Sequence, residues 1–133
     1  MKLTSSAVVL VLLVLAGCGG SDNSFTEDYN QAVKPLSTLE QGMGTKPREF
    51  DKLAERTRET RANLSKLNPP DGAGDEFQAL LTELDRVTKD LNAVAKAARG
   101  DDVAAQRQAA QDLVTSSTEV QRAEAKLKQA VEG

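Results

Sequence analysis

Histidine and tryptophan are absent from this chain of 133 residues, and cysteine occurs once. Without histidine the chain lacks the commonest metal ligand and the side chain that most often transfers protons near neutral pH. A single cysteine excludes an intramolecular disulfide. No nucleophile stands beside a base, and no glycine-rich phosphate loop follows a strand. We therefore expect no enzymatic activity, no catalytic residue, no metal site and no cofactor.

Aromatic residues are also few, at 3 % of the chain, and only Phe25, Tyr29, Phe50 and Phe77 can serve as large packing units. Alanine and leucine must supply the rest of the core, so we expect one domain of marginal stability. The 17 basic and 20 acidic side chains are mixed along the sequence and give a net charge of −3. Because no basic block stands out, nucleic acid is not an expected partner.

The sequence has only one long hydrophobic run, from Ala7 to Ala16, and it follows the positive charge of Lys2. A membrane-spanning helix needs about 20 apolar residues, so the run is too short to span and is typical of the apolar part of a signal peptide. A retained transmembrane anchor is the alternative interpretation.

Directly after this run come Leu15, Ala16, Gly17 and Cys18. The four residues resemble the lipobox of bacterial lipoproteins, in which leucine, a small residue and glycine or alanine precede the cysteine. The resemblance implies that residues 1–17 are a cleaved signal peptide and that Cys18 carries a diacylglyceryl group. Two or three acyl chains would anchor a protein stably in a membrane, because each buried methylene contributes about 0.8 kcal/mol.

The same resemblance implies a place outside the cytoplasm. Gly19 stands where an aspartate often marks retention in the inner membrane, so the outer membrane is favoured in a two-membrane bacterium. In a one-membrane bacterium the protein would lie on the outer face of the cell membrane. Residues 18–24 then form the lipidated cysteine with a flexible tether, and residues 25–133 form the folded domain.

Helical periodicity predicts four helices after the tether. The first begins at a capping box of Ser24 and Glu27, is kinked or split at Pro35, and ends at Gly42 and Gly44. The second begins between Thr45 and Pro47 and ends before the breaker at 68–72. The predicted buried positions of these two helices are Phe25, Tyr29, Ala32, Val33, Leu36, Leu39, Phe50, Leu53, Thr57, Thr60, Leu64 and Leu67.

The third helix is predicted from about Gly74 to Arg99, and the fourth from about Asp102 to Val131. Between them Gly100 suits a left-handed C-cap and Asp101 a cap for the next helix. The third carries a heptad seam of Phe77, Leu80, Leu84, Val87, Leu91, Val94 and Ala98, widened by Leu81 and Ala95. The weaker apolar face of the fourth consists of Val103, Ala110, Leu113, Val114, Val120, Leu127 and Val131.

Short connections between amphipathic helices predict an all-α fold, an antiparallel up-and-down bundle. Either all four helices form it, or three do and a proline-kinked N-terminal helix packs on them. The domain is loosely similar to small helical bacterial lipoproteins of unknown function, with their "NPPD" and "GDD" turns, and this resemblance implies no activity.

Three features of the domain are candidate binding surfaces. The stretch 48–61 could contact an anionic lipid or polyanion, although its interleaved acids favour a solvated, ion-paired face. Ser117, Thr57 and Thr60 could line a small polar cavity, although such hydroxyls more often bond to the carbonyl one turn earlier. The heptad seam of the third helix could bind a second copy, but the bundle already needs that face, and we expect a monomer.

Two functions follow. The first is a non-enzymatic interaction module, anchored in the membrane through lipid on Cys18, that binds another protein of the cell envelope or helps to organise the cell surface. The alternative is a carrier or sensor that binds a small apolar ligand between the helices. The alternative needs an internal cavity, which a core with so few large side chains would sustain poorly.

Overall fold

The computed structural model describes residues 23–40 and 46–132, and every regular element in these ranges is an α-helix. The helices are α1 (Asn23–Glu40), α2 (Pro47–Leu64), α3 (Gly74–Ala98) and α4 (Val103–Glu132). The all-α prediction is confirmed, and the four helices begin within about two residues of the predicted positions. Helices α3 and α4 also end where predicted, to within one residue, whereas α2 ends at Leu64, before the predicted face position Leu67. The predicted endings of the first helix at Gly42 and Gly44 lie outside the described residues.

The helices run up and down, as predicted. Arg61 on α2 lies 3.2 Å from Asp85 on α3 (Nε to Oδ1), and Arg99 pairs with Asp51. A residue near the start of α2 thus pairs with the end of α3, and a residue near the end of α2 pairs with the middle of α3, so the two helices are antiparallel. The short connection 99–102 returns the chain alongside α3, and the ring of Phe25 lies 5.6 Å from that of Phe77, so α1 and α3 begin at the same end.

The central helix is α3, which packs closely against both α2 and α4. Its predicted seam is confirmed at Phe77, Leu80, Leu84, Val87 and Leu91, all of which are at most 2 % exposed. The two residues that widen the seam are buried as well. At the C-terminal end of α3 the seam opens, because Val94 is half-buried and Ala98 is exposed, contrary to the prediction for Ala98.

The first helix is continuous through Pro35, so the predicted split does not occur. Pro35 is exposed, where a missing backbone hydrogen bond faces water and costs least. The inner face of α1 is buried as predicted, at Phe25, Tyr29, Val33 and Leu36. The backbone of α1 approaches that of α2 closely, whereas side chains connect it to α3 and α4.

Two predicted caps are wrong. The connection between α3 and α4 keeps Gly100 out of the left-handed region, and in the described part of the chain only Gly72 has a positive φ, of 89°. The N-terminal cap of α4 is Asp102 rather than Asp101, and its Oδ1 accepts a hydrogen bond from the Ala105 N–H at 3.1 Å. The link is tight enough that Gly100 N–H bonds back to the Ala97 carbonyl at 3.1 Å, which holds the chain in a right-handed turn.

The buried face of α4 also differs from the predicted one. Leu113, Val120 and Leu127 are buried as predicted, but Val103 and Val114 are 51 % and 47 % exposed and Ala110 is exposed. Small and polar side chains fill the other inward positions, namely Ala109, Ser116, Ser117, Ala123 and Glu124. The apolar pattern was a poor guide to this face because several of the buried residues of α4 are not apolar.

The packing of α3 predicts a large cost for shortening its central leucine. Leu84 is 1 % exposed, so Leu84→Ala leaves a cavity and should lower the free energy of unfolding by about 3 kcal/mol. Val114→Ala is the control, because Val114 is 47 % exposed and its truncation should change stability by less than about 0.5 kcal/mol. Urea unfolding followed by circular dichroism measures both. Equal effects of the two substitutions would contradict the assignment of α3 as the core helix.

Candidate functional site

Cys18, the site residue assigned from the sequence, lies outside the described residues, as does the whole of 1–17. Its lipidation therefore stays a prediction. The described residues contain three further features that bear on function: a buried tyrosine–glutamate contact, a set of buried hydroxyls, and a cluster of basic side chains at one end of the bundle.

A carboxyl group is buried between α1 and α4. Glu124 is 1 % exposed and Tyr29 is fully buried, and the Tyr29 hydroxyl donates a hydrogen bond to Glu124 Oε1 at 3.3 Å. The Tyr29 ring is tilted against that of Phe25, with centroids 6.1 Å apart, and Phe25 in turn meets Phe77 edge-on. A polar contact therefore lies beside the aromatic cluster and ties α1 to α4 across 95 residues of sequence.

This environment raises the pKa of the Tyr29 hydroxyl well above its ordinary value. Burial is the largest cause, because the charged phenolate would lose its hydration. The Glu124 carboxylate adds to the rise by charge repulsion and by accepting the hydroxyl proton in a hydrogen bond. Tyr29 thus stays a protonated donor at physiological pH, which suits a structural contact rather than proton transfer.

Sequence reasoning placed Tyr29 in the core but missed Glu124. A signal was present, because Glu124 stands four residues after Val120 and three before Leu127, on the inward line of α4. A charged residue at an inward position indicates either that the buried face was assigned wrongly or that the charge makes a buried polar contact. In α4 the second is the case, because Glu124 accepts the hydrogen bond from Tyr29.

The hydroxyl side chains mostly bond to their own helix, as the structural interpretation predicted. Thr57 donates to the Leu53 carbonyl at 2.7 Å and Ser116 to the Leu113 carbonyl at 3.2 Å. Ser117 is the exception, because its Oγ is buried and has no hydrogen-bond partner among the residues that the structure describes. Thr57, Thr60 and Ser117 are all buried, so they do not face solvent on opposite sides. A ligand at Ser117 stays a prediction.

The charged stretch 48–61 divides into two parts. Towards its C-terminal end the arginines pair with carboxylates: Arg56 with Glu59 at 3.4 Å, Arg58 with Glu55, and Arg61 with Asp85 at 3.2 Å. The ion-paired face predicted from the sequence is confirmed there. Towards its N-terminal end, Arg48 and Lys52 make no ion pair with any described residue.

These cations border a concavity of about 600 Å³ where α2 begins and α3 ends, lined by Lys46, Pro47, Arg48, Glu49, Lys52 and Arg99. The two nearby carboxylates already have partners. Glu49 Oε2 accepts a hydrogen bond from the Lys46 N–H at 3.3 Å, and Asp51 pairs with Arg99. The hydroxyl residues Thr57, Thr60 and Ser117 are not part of this lining. We call this region the basic end.

Within residues 23–40 and 46–132, no three histidine, cysteine or acidic residues are grouped so that they could hold a metal ion. None of the described helices is both long and apolar enough to cross a membrane.

Comparisons of the chain with protein-family models, with curated proteins and with solved structures found no match. The functional interpretation therefore depends on the residues themselves.

Removing the Tyr29 hydroxyl should destabilise the bundle. Tyr29→Phe keeps the ring but takes a donor from the buried Glu124 carboxyl, which should cost about 1–3 kcal/mol in the free energy of unfolding. Thr82→Val is a suitable control, because the exposed Thr82 hydroxyl donates only to the Gln78 carbonyl of its own helix. Urea midpoints measure the difference, and equal midpoints for wild type and Tyr29→Phe would show that the contact contributes nothing.

The raised pKa of Tyr29 predicts a loss of stability in alkali. The unfolded chain ionises its tyrosine near pH 10, whereas the folded protein keeps it protonated. The protonated, buried Tyr29 hydroxyl therefore makes its full contribution to the free energy of unfolding below about pH 10, and this contribution declines as the pH rises further. Since Tyr29 is the sole tyrosine and tryptophan is absent, phenolate absorbance reports on this residue alone. Phenolate should appear only together with loss of helical circular dichroism, and its appearance near pH 10 with the helices intact would contradict the burial.

Ser117→Ala should leave stability unchanged or raise it by about 1 kcal/mol, because an unpartnered buried hydroxyl carries a desolvation cost. Ser116→Ala is the matched control, since its hydroxyl is buried but bonded. Chemical denaturation of both variants tests this. A loss of stability confined to Ser117→Ala would indicate a partner for Oγ.

Proposed function

We propose that this chain is a bacterial lipoprotein, held outside the cytoplasm by lipid on Cys18, whose helical bundle is a non-enzymatic interaction module. The observation that carries the proposal is the match of Leu15 to Cys18 to the lipobox, directly after an apolar run of signal-peptide length. The first described helix begins at Asn23, only five positions after that cysteine. Anchor and domain are therefore adjacent in sequence.

The surface of the domain supports an interaction through charge. The inward faces of the helices are used by the bundle itself, and the large hydrophobic residues exposed in the described part of the chain are Val103 and Val114. Isolated exposed valines are ordinary and do not make a docking patch. What the domain offers to a partner is polar and charged, and at the basic end Lys46, Arg48 and Lys52 make no ion pair with a described residue.

One observation favours the second function, a carrier or sensor that binds a small apolar ligand between the helices. The unpartnered, buried Ser117 hydroxyl is the kind of group that a small ligand between the helices could satisfy. Organic extraction of the protein purified from its own membrane, followed by mass spectrometry, tests this carrier function. A stoichiometric small molecule that is lost in Ser117→Ala would favour the carrier, and its absence would leave the interaction module.

The anchor is tested by replacing the cysteine. Cys18→Ser should abolish incorporation of a labelled fatty acid and stop removal of residues 1–17, because the sulfur that accepts the diacylglyceryl group is gone. Helical circular dichroism of the domain should be unchanged. Ser21→Ala, three residues away, is the control and should be labelled and processed normally. Unchanged labelling of Cys18→Ser would defeat the assignment.

A further inference from the structure

The two ends of the bundle differ in charge. The end where α1 begins also holds the connection between α2 and α3 and the last turn of α4, and we call it the anchor end. Its carboxylates outnumber its lysines, which are Lys66, Lys126 and Lys128. The carboxylates are Glu27, Asp28, Asp71, Asp75, Glu76 and Glu132. This end therefore has a net negative charge.

The basic end lies at the other extreme of the helices, beyond the ion pair of Arg99 with Asp51. Lys46, Arg48 and Lys52 are exposed there, and none of them makes an ion pair within residues 23–40 and 46–132. The contrast with the other arginines of α2 is direct, since each of those pairs with a carboxylate.

The carboxylates at the basic end cancel only part of this charge. Asp51 pairs with Arg99, and Glu49 accepts a hydrogen bond from the Lys46 N–H but keeps its negative charge. Asp101 and Asp102 are exposed in the connection at the same end, outside the lining of the concavity. The first turn of α2 also points the positive end of its helix dipole towards the same concavity. Lys46, Arg48 and Lys52 outnumber the charge of Glu49 around an open depression of about 600 Å³ that also contains the paired Arg99.

We propose that the basic end binds a phosphate-bearing polymer of the cell envelope. Lysine and arginine are the usual ligands of phosphate groups, and several cations along an open depression suit a chain of repeating charges better than a single ion. The location of this partner rests on the proposed function, because it requires the domain to stand outside the cytoplasm.

The geometry favours a polymer over the membrane that holds the anchor. Helix α2 has 18 residues and is about 27 Å long, so the basic end lies about a helix length from the anchor end. The anchor end, which lies nearest the lipid, is acidic and would be repelled by anionic headgroups. A bundle attached in this way presents its basic end away from the bilayer.

The composition of the site favours a polymer over a folded protein. Protein interfaces depend on a desolvated centre with aromatic or aliphatic anchors. Among the described residues that line the concavity, Pro47 is the only apolar one. Without such an anchor, affinity must come from charge, and it should depend strongly on salt.

The test uses the full lipidated protein in vesicles of neutral phosphatidylcholine, with long-chain inorganic polyphosphate as the probe. We expect saturable binding that weakens as salt rises from about 50 to about 200 mM. The variant Lys46→Gln/Arg48→Gln/Lys52→Gln should lower the affinity at least about tenfold, and it should reduce the slope of log K against log salt by about 2, near 0.7 for each lost phosphate contact.

The matched control removes the same charge from the anchor end, through Lys66→Gln/Lys126→Gln/Lys128→Gln. It should change the affinity less than about twofold, since those lysines lie at the other extreme of the bundle and are screened at this distance. Circular dichroism confirms that both triple variants are folded.

Three results would overturn the proposal: no binding of polyphosphate by the wild-type protein, an equal loss in both triple variants, or tighter binding to added anionic vesicles than to polyphosphate. The last would assign the basic end to a membrane instead. The proposal that Cys18 is lipidated is tested separately, because fatty-acid labelling does not depend on polyphosphate binding. A chain that binds polyphosphate but is not labelled would support the binding site at the basic end and refute only the proposal that the protein is a lipoprotein.

Discussion

The apolar stripe of α3 is the interaction on which the bundle depends, because this helix packs against both α2 and α4 and its Phe77 ring meets Phe25 of α1. Leu80, Leu84, Val87 and Leu91 are at most 1 % exposed. Burial of one such side chain contributes about 1.5–3 kcal/mol, and a chain with 3 % aromatic residues has few larger contributions to add. The stripe therefore supplies a large share of the apolar burial and sets the positions of its neighbours.

Helix α1 is attached by different means. Its backbone lies close to α2, while its contact with α4 is made by the Tyr29 hydroxyl and the Glu124 carboxyl. A buried carboxyl costs free energy unless it is hydrogen-bonded, so this contact contributes less to stability than to placement. A shift of α1 by one turn would separate the two groups. The contact thus selects one register for the helix that joins the body to the predicted lipid anchor.

Much of the fold could be predicted from the sequence, because the signals were local and strong. The turn at 68–72, Pro47 in the first turn of α2 and the heptad seam of α3 each indicated an element that the structure has. The errors came where a tertiary contact outweighs a local preference. Ser116 and Glu124 occupy inward positions of α4 that apolar patterning assigns to hydrophobic residues, and Val114 lies outside. The exact cap at Asp102 depends on loop geometry that composition does not specify.

The candidate sites were harder to predict than the fold, since charge placement depends on how the helices are aligned. From the sequence, Arg48 and Arg61 belong to one mixed stretch, and only the alignment of α2 with α3 shows that Arg61 pairs with Asp85 while Arg48 makes no ion pair with a described residue. The same alignment puts Arg99 beside α2 and adds a fourth cation to the concavity. Lys46, Arg48 and Lys52, which make no ion pair with a described residue, lie at the end of the bundle opposite the start of α1, and only the alignment of the helices reveals that placement.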